Sequence, residues 1–555
     1  MSGTPALLAV VGLALATAGC ELFFPPALSV RVQPSELLGD YADRPLWQWT
    51  IEGAGSVGRL QVSLDGGRFR ELPTGARSYR APAPLAPGRY VLTVRAQVGG
   101  RTLQAAASAR VAALPALPGG IPDDARGRWW LEQIRLPEVW QAYAGGRLPP
   151  PRPVIVAVLD GGYLPHPDLA GGLDPDAGYD FVSAGLLTDG DGVDPIAYAE
   201  GAWHGTAVAG IVAAGAGNGY VAGMDWSTER IISVMPVRVI DVDGTGTDYD
   251  LAQGVRYAAG LRNDSGELPP RAAEIINVSV TDPEQVAVSA VLQSAFYEAT
   301  EAGAIVVAAA GNEAPAQVPV RAPASSGCAL AVGGTGVDRE LASYSNYGPR
   351  LDLVAPGGDA QAALEVLATA ADGLWSTRRQ QGTSFAAPHL SGALALLAGH
   401  ASDITLQDAR VLLADSAADL GPGGWDDRYG AGLLDVFALM GAYPPRAGIT
   451  VPSRPCRPPA PSAALRGAAV TVPPAAADPG TLVVRWSDGP RSRAEGAAAA
   501  AALSARLGLL QVSPGDGEFS LVRLREDQDL SELKARLEAD PAVVSVQFNR
   551  RFRTR

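Results

Sequence analysis

Lysine is almost missing from this 555-residue chain: Lys534 is the only one, and arginine supplies nearly all of the 44 basic residues. Alanine and glycine abound, so this bias reads as codon usage more than function. Acidic residues number 58, and the resulting net charge of −14 argues against nucleic acid as a partner. Long apolar runs are scarce as well. The one at 6–18 is too short to span a bilayer comfortably, so it reads as an export signal rather than a membrane helix. Only four histidines occur, His166, His204, His389 and His400, and only three cysteines, Cys20, Cys328 and Cys456. What the chain does have is length for several domains and 47% hydrophobic residues, enough for large cores.

Three stretches carry chemistry. Val154-Ile-Val-Ala-Val-Leu-Asp160 is an apolar run ending in a carboxylate before Gly161-Gly162, the pattern of a buried parallel strand stopping at a turn. Forty-four residues on, His204-Gly-Thr-Ala-Val-Ala-Gly210 opens a small-residue helix. Gly382-Thr-Ser-Phe-Ala-Ala-Pro-His-Leu-Ser391 sets Ser384 at the start of another. A hydroxyl there sits at the positive end of a helix, suited to a nucleophile whose reaction develops an oxyanion. Read alone, Thr383 or Ser384 is equally an N-cap.

Together these motifs, with Asp, His and Ser in that chain order, resemble the subtilisin-like serine peptidases. The resemblance implies a catalytic triad of Asp160, His204 and Ser384. It also implies an oxyanion hole from the Asn312 amide of Gly311-Asn312-Glu313 and the Ser384 backbone. Substrate would lie against Gly244, Thr245 and Gly246 on one side and Asn277 and Ser279 on the other, with Ala308, Ala309, Ala310 and Gly311 lining the first specificity pocket. Thr281 stands where a glycine is usual and would crowd the channel. Gly161 replaces the hydroxyl residue that usually supports the catalytic aspartate, so orientation of His204 is expected to suffer. Asp168 resembles a calcium-binding carboxylate of some relatives, but 215–219 offers few oxygen side chains, so solvent-exposed capping is expected instead. No metal site is assigned and no cofactor is required; structural calcium is unsupported.

Thr17-Ala18-Gly19-Cys20 resembles a bacterial lipobox, which implies lipidation of Cys20, an extracytoplasmic location, and membrane attachment by lipid anchor only. Short alternating strands over 28–113 suggest an immunoglobulin-like β-sandwich. A linker leads to the catalytic domain at 120–442, where strand candidates (231–234, 237–240, 274–280, 304–310, 329–332, 351–355) alternate with helices such as 249–260 and 284–302. That alternation implies an α/β fold with a doubly wound parallel sheet. A Pro-rich linker follows at 443–479. Its Cys456 either pairs with Cys328 or both are free thiols. The order strand, helix, strand, strand, helix, strand over 480–555, with the last strand at 543–548, is ferredoxin-like. It resembles the inhibitory prodomain of the same peptidases, placed after the catalytic domain instead of before it. The residues from Arg550 onward would then enter the cleft, making the module a cis inhibitor or chaperone beside polypeptide substrates. The competing reading is a degraded peptidase domain serving as a surface binding scaffold.

Overall fold

The computed structural model describes residues 27–112 in segments, then 128–459 apart from 165, 183–199, 217–220, 226–229, 242, 315–317, 361, 370–374 and 446–447. In the C-terminal part it describes 477–486, 502–505, 511–512, 519–523, 530–540 and 543–553. The signal-like stretch with Cys20 lies outside the described residues, as do 460–476 and most of the helix expected at 493–507. The chain divides into two compact units, Met1–Ala116 and Leu117–Arg555.

The first unit holds strands β1 (Ala27–Gln33), β2 (Glu36–Leu38), β3 (Leu46–Glu52), β4 (Val57–Leu64), β5 (Arg70–Leu72), β6 (Ser78–Arg80), β7 (Gly88–Val98) and β8 (Arg101–Ala112). They form a three-stranded sheet, β1-β3-β6, and a five-stranded one, β2-β8-β7-β4-β5. Leu60 and Val62 of β4 and Leu92, Val94, Ala96 and Val98 of β7 recur at every second residue. That period turns them all to one face, where they bury with Trp49.

The second unit opens with helices α1 (Trp129–Gln133) and α2 (Leu136–Ala144). Strands β9 (Val154–Asp160), β10 (Tyr179–Asp180), β11 (Ile232–Arg238), β13 (Ile275–Val278), β14 (Ile305–Ala309), β15 (Ala329–Thr335) and β16 (Leu353–Pro356) build a parallel sheet of order β10-β11-β9-β13-β14-β15-β16. Every residue of β9 is buried, because both faces of the sheet are covered. Val154, Val156 and Val158 point into a core shared with α3 (Glu200–Ala213) and α6 (Thr383–Ala398). Ile155, Ala157 and Leu159 point into a second core, under α4 (Asp248–Ala258) and α5 (Ala290–Glu301). Between β11 and α4 lies the short edge strand β12 (Thr245–Thr247), tied back through an Ile240–Gly246 bridge. An antiparallel hairpin, β17 (Leu364–Thr369) and β18 (Trp375–Gln380), precedes α6; α7 (Leu406–Ser416) and α8 (Val436–Ala442) follow it.

The helix expected at 284–302 begins only at Ala290, capped by Ser289, and the strands expected at 231–234 and 237–240 are one strand, β11. Past α8, part of the segment expected to be linker is a strap packed on the second unit. Cys456 is bonded to Cys328, and Arg454 joins Arg410 on the buried Asp352 carboxylate, at 3.0 and 3.1 Å.

The chain ends in β19 (Ala477–Trp486), β20 (Gln511–Val512), β21 (Phe519–Arg523), helix α9 (Leu530–Glu538) and β22 (Val543–Arg553). These strands stand in the order β22-β19-β21-β20, all antiparallel, over a core of Leu482, Val484, Val522, Leu533 and Leu537. β22 runs five residues beyond its expected end at 548. Its extension pairs antiparallel with β12, Arg551 facing Thr247 and Arg553 facing Thr245, so one five-stranded sheet joins the C-terminal part to the parallel-sheet region.

Candidate active site

Asp160 ends β9 with its side chain fully buried. One carboxylate oxygen accepts the Gly161 N–H at 2.7 Å. The support expected to be missing at position 161 is thus supplied by that residue's own backbone. His204 lies in α3, with Nδ1 2.9 Å from both Asp160 oxygens. The close approach of α3 depends on Gly205: a Cβ there would fall 2.0 Å from the Gly162 carbonyl oxygen. Thr206 Oγ1 accepts the Leu164 N–H at 2.8 Å and so holds the turn after β9 against the same helix.

Ser384 is the second residue of α6, which is buried along its whole length. The helix is entered through Gly382 at φ 151°, a conformation that favours glycine. Asn312 is fixed from the side of α6: its Oδ1 accepts both the N–H and the hydroxyl of Thr383, at 2.9 and 2.8 Å. The amide that the resemblance assigns to the oxyanion hole is therefore oriented by the residue next to Ser384.

The α6 helix contains Pro388, which has no N–H to offer the carbonyl four residues earlier. That carbonyl belongs to Ser384, and the Ser279 hydroxyl donates to it instead, at 2.8 Å. In return Ser384 Oγ donates to the Ser279 carbonyl at 3.0 Å. Asn277 Nδ2 donates to Ser279 Oγ at 2.9 Å, and Ser391 Oγ donates to Asn277 Oδ1 at 2.8 Å. His204 Nε2 makes no hydrogen bond. The four-residue spacing of Ser384 and Pro388 was the sequence signal for this arrangement.

Of the other residues assigned by resemblance, Gly244 adopts φ 78° beside β12, whose Thr245 and Gly246 are paired with β22. Ala308, Ala309 and Ala310 are fully buried and show no exposed face, and Gly311 follows them at φ 107°. Thr281 is also buried. Asp168 is not the solvent-exposed cap expected: it is fully buried, and its carboxylate accepts the Val221 N–H at 3.2 Å, because it ties down the segment after α3. No group of three or more His, Cys, Asp or Glu with the geometry to hold a metal occurs among the described residues. His389 Nδ1 lies 2.8 Å from the Phe385 carbonyl, and burial pushes its imidazole down to about 4. His400 pairs with the Tyr143 hydroxyl at 2.7 Å.

The C-terminal strand β22 contacts β12 with the start of α4 on one side and the segment from Ala287 to the start of α5 on the other. Gln547 Oε1 accepts the Ala290 N–H and Asn549 Oδ1 the Tyr249 N–H, each at 3.2 Å, and Arg550 Nη1 donates to the Ala287 carbonyl at 2.9 Å. The strand so caps two helix N-termini with side-chain oxygens, satisfying N–H groups that have no partner within their own helix.

Residues 152–432 match the model of the subtilase family. An extracellular protease of Xanthomonas campestris is 34% identical over 308 residues, covering 52% of this chain and 51% of that protein. Subtilisin Savinase of Lederbergia lenta is 33% identical over 286 residues, covering 51% of this chain and 90% of its own. A solved protease structure from Pseudoalteromonas arctica is 31% identical with TM-score 0.50, covering 58% of this chain and 99% of that one. The match spans about half the length of the Xanthomonas protein and half that of an extracellular basic protease of Dichelobacter nodosus.

Proposed function

Because the chain belongs to the subtilase family, we propose that it is a serine endopeptidase that cleaves polypeptides through an acyl-enzyme on Ser384. The observation that carries this reading is the buried His204–Asp160 pair, which leaves the other nitrogen of the His204 ring, Nε2, without a hydrogen bond, on the helix neighbouring that of Ser384. In the reaction Ser384 Oγ turns from the Ser279 carbonyl to His204 Nε2, gives up its proton and attacks the peptide carbonyl carbon. The Ser384 N–H and the Asn312 amide donate to the oxygen as it becomes negative. His204 then returns the proton to the leaving amine nitrogen, and water takes the same route to release the acyl group. Asp160, fixed by the Gly161 N–H, keeps the imidazole proton on Nδ1.

The C-terminal part is proposed to be a ferredoxin-like module that inhibits this site in cis. Its strand order and the pairing of β22 on β12, the edge assigned to substrate by resemblance, support that reading. The first unit, with two sheets over one core, is proposed as an immunoglobulin-like sandwich. Export rests on 1–20 and on relatives named extracellular, and lipid attachment on Cys20. No helix among the described residues is long and apolar enough to cross a membrane.

The test is labelling of the full chain with a fluorophosphonate probe, which reacts only with an activated serine. Labelling of the parent and its loss in Ser384→Ala are expected. A folded variant with Gln547, Asn549 and Arg550 replaced by alanine, its strand undocked, that also stays unlabelled would leave the scaffold reading in its place.

A further inference from the structure

We infer that Asp248 and Asp282 form an acidic recess that selects an arginine or lysine side chain on the acyl side of the scissile bond. The inference rests on the peptidase reading above and concerns the specificity of that site.

Asp248 is the first residue of α4, directly after the β12 edge, and Asp282 lies three residues past Ser279 on the facing wall. Both are buried, at 4% and 3% exposure. Asp282 Oδ1 accepts the N–H groups of Glu284 and Gln285, at 2.9 and 3.2 Å, while its buried Oδ2 hydrogen-bonds nothing. The Ser289 hydroxyl supports Asp248. Two desolvated carboxylates near enough for their charges to repel are costly unless a cation offsets them. In this structure Arg550 of β22 is the positive charge felt by both, its guanidinium donating to the Ala287 carbonyl and ion-paired with neither. Its guanidinium favours the charged form of both, against burial, which pushes Asp248 up to about 6 and Asp282 upward as well. Extending the β12–β22 register by one residue sets Arg550 opposite Asp248.

The direction of the strand follows from its contacts. Gln547 lies at Ala290 and Arg550 at Ala287, so the chain advances toward Ser279 and hence toward Ser384 as it runs to its carboxyl end. A substrate strand on the same track enters with its carbonyl side ahead, and the residue in the recess lies N-terminal to the bond cut. A side chain that reaches Asp282 Oδ2 there needs length, positive charge and donors, which arginine has and lysine largely shares. Asp248 and Asp282 touch the substrate side chain in this role and not the reacting atoms.

The experiment uses the full chain and its Arg550→Ala variant, which vacates the recess. Both are given a peptide mixture, and the bonds cut are mapped by mass spectrometry. Enrichment of arginine and lysine at one fixed position upstream of the cut is expected. Replacing that arginine by citrulline, which keeps its shape without its charge, should lower kcat/KM about tenfold or more. The Asp248→Asn and Asp282→Asn variants should lose that ratio between arginine and citrulline peptides, and fluorophosphonate labelling of Ser384 reports whether they are folded. The citrulline comparison needs no variant in the recess, so a misfolded variant does not spare the proposal. Peptides cut with equal ease whatever the charge at that position overturn the recess alone. Failure both to cut and to label Ser384, persisting when Gln547 and Asn549 are also replaced by alanine so that β22 undocks, overturns the peptidase reading along with it.

Discussion

The docking of β22 allows a quantitative test of cis inhibition. Three side chains hold the strand between its walls: Gln547 on Ala290, Asn549 on Tyr249, and Arg550 on Ala287 beside two buried carboxylates. Two neutral hydrogen bonds contribute about 0.5–1.5 kcal/mol each, and the arginine about 1.5–3. Replacing all three with alanine is expected to weaken docking by about 2.5–6 kcal/mol, a factor of about 60 or more in the population with an open cleft. If only the open form admits a fluorophosphonate, the second-order labelling rate of Ser384 rises by up to that factor, until every molecule is open. A control change inside the module, Lys534→Ala, removes an exposed ion pair with Glu538 and should leave the rate alone. A triple variant that melts like the parent yet labels at the parent's rate would refute cis inhibition by β22. The docked strand would then be a structural appendage and not a lid on the site.

Two further outcomes follow from the site. Gly205→Ala puts a methyl group where only 2.0 Å separates it from the Gly162 carbonyl, forcing α3 off the turn after β9 and opening the 2.9 Å His204–Asp160 contact; the labelling rate should fall by about 100-fold or more, since a misplacement of 1 Å suffices for that, whereas Gly441→Ala, with nothing near its Cβ, should not change it. His389 has its pKa lowered by burial to about 4, below its ordinary 6.5, so the unfolded chain binds the extra proton first as pH falls. Stability from this group is complete above about 6.5 and is lost as pH drops toward 4, by up to about 3 kcal/mol. A His389→Gln variant should show a shallower fall in urea midpoint across that window, and an equal slope in both proteins would contradict the assignment.

The parallel sheet and the three motif residues were legible because each is written locally. A β-branched apolar run such as Val154–Leu159, bounded by Gly161 and Gly162, reads as a strand buried on both faces, and the turn glycines mark where it stops after Asp160. What sequence could not supply depended on partners far away. The two candidates 231–234 and 237–240 leave out Met235 and Pro236, yet the strand continues through both. Val234 donates to Gly172 on the β10 side, so Pro236, two residues on, faces the same side, where β10 pairs only from Tyr179 onward and asks for no N–H there. Asn549-Arg-Arg-Phe-Arg553 has no strand alternation, and it is extended because the β12 edge lies open to it. Asp168 is expected to be an exposed cap because 215–219 offers few oxygen side chains, but it is buried and its carboxylate accepts the Val221 N–H.

The reciprocal bond between Ser384 and Ser279 bears on how the site switches on. A proline inside a helix ordinarily costs about 3 kcal/mol, in part through the carbonyl it leaves unmatched. Here that carbonyl is the one on Ser384, and Ser279 matches it, so the cost is offset by a bond that fastens the nucleophile to one wall of the channel. The same serine's carbonyl also takes the only proton of the Ser384 hydroxyl, at 3.0 Å. A hydroxyl donates once, so while Ser279 holds that proton His204 Nε2 does not receive it. The Ser279 carbonyl has two lone pairs and can take a further N–H without giving up the Ser384 hydroxyl, so the hydroxyl reaches His204 Nε2 only by rotating away from it. Ser384 is thus tied to Ser279 through both its carbonyl and its hydroxyl, and only the second of these bonds has to open for the reaction proposed above.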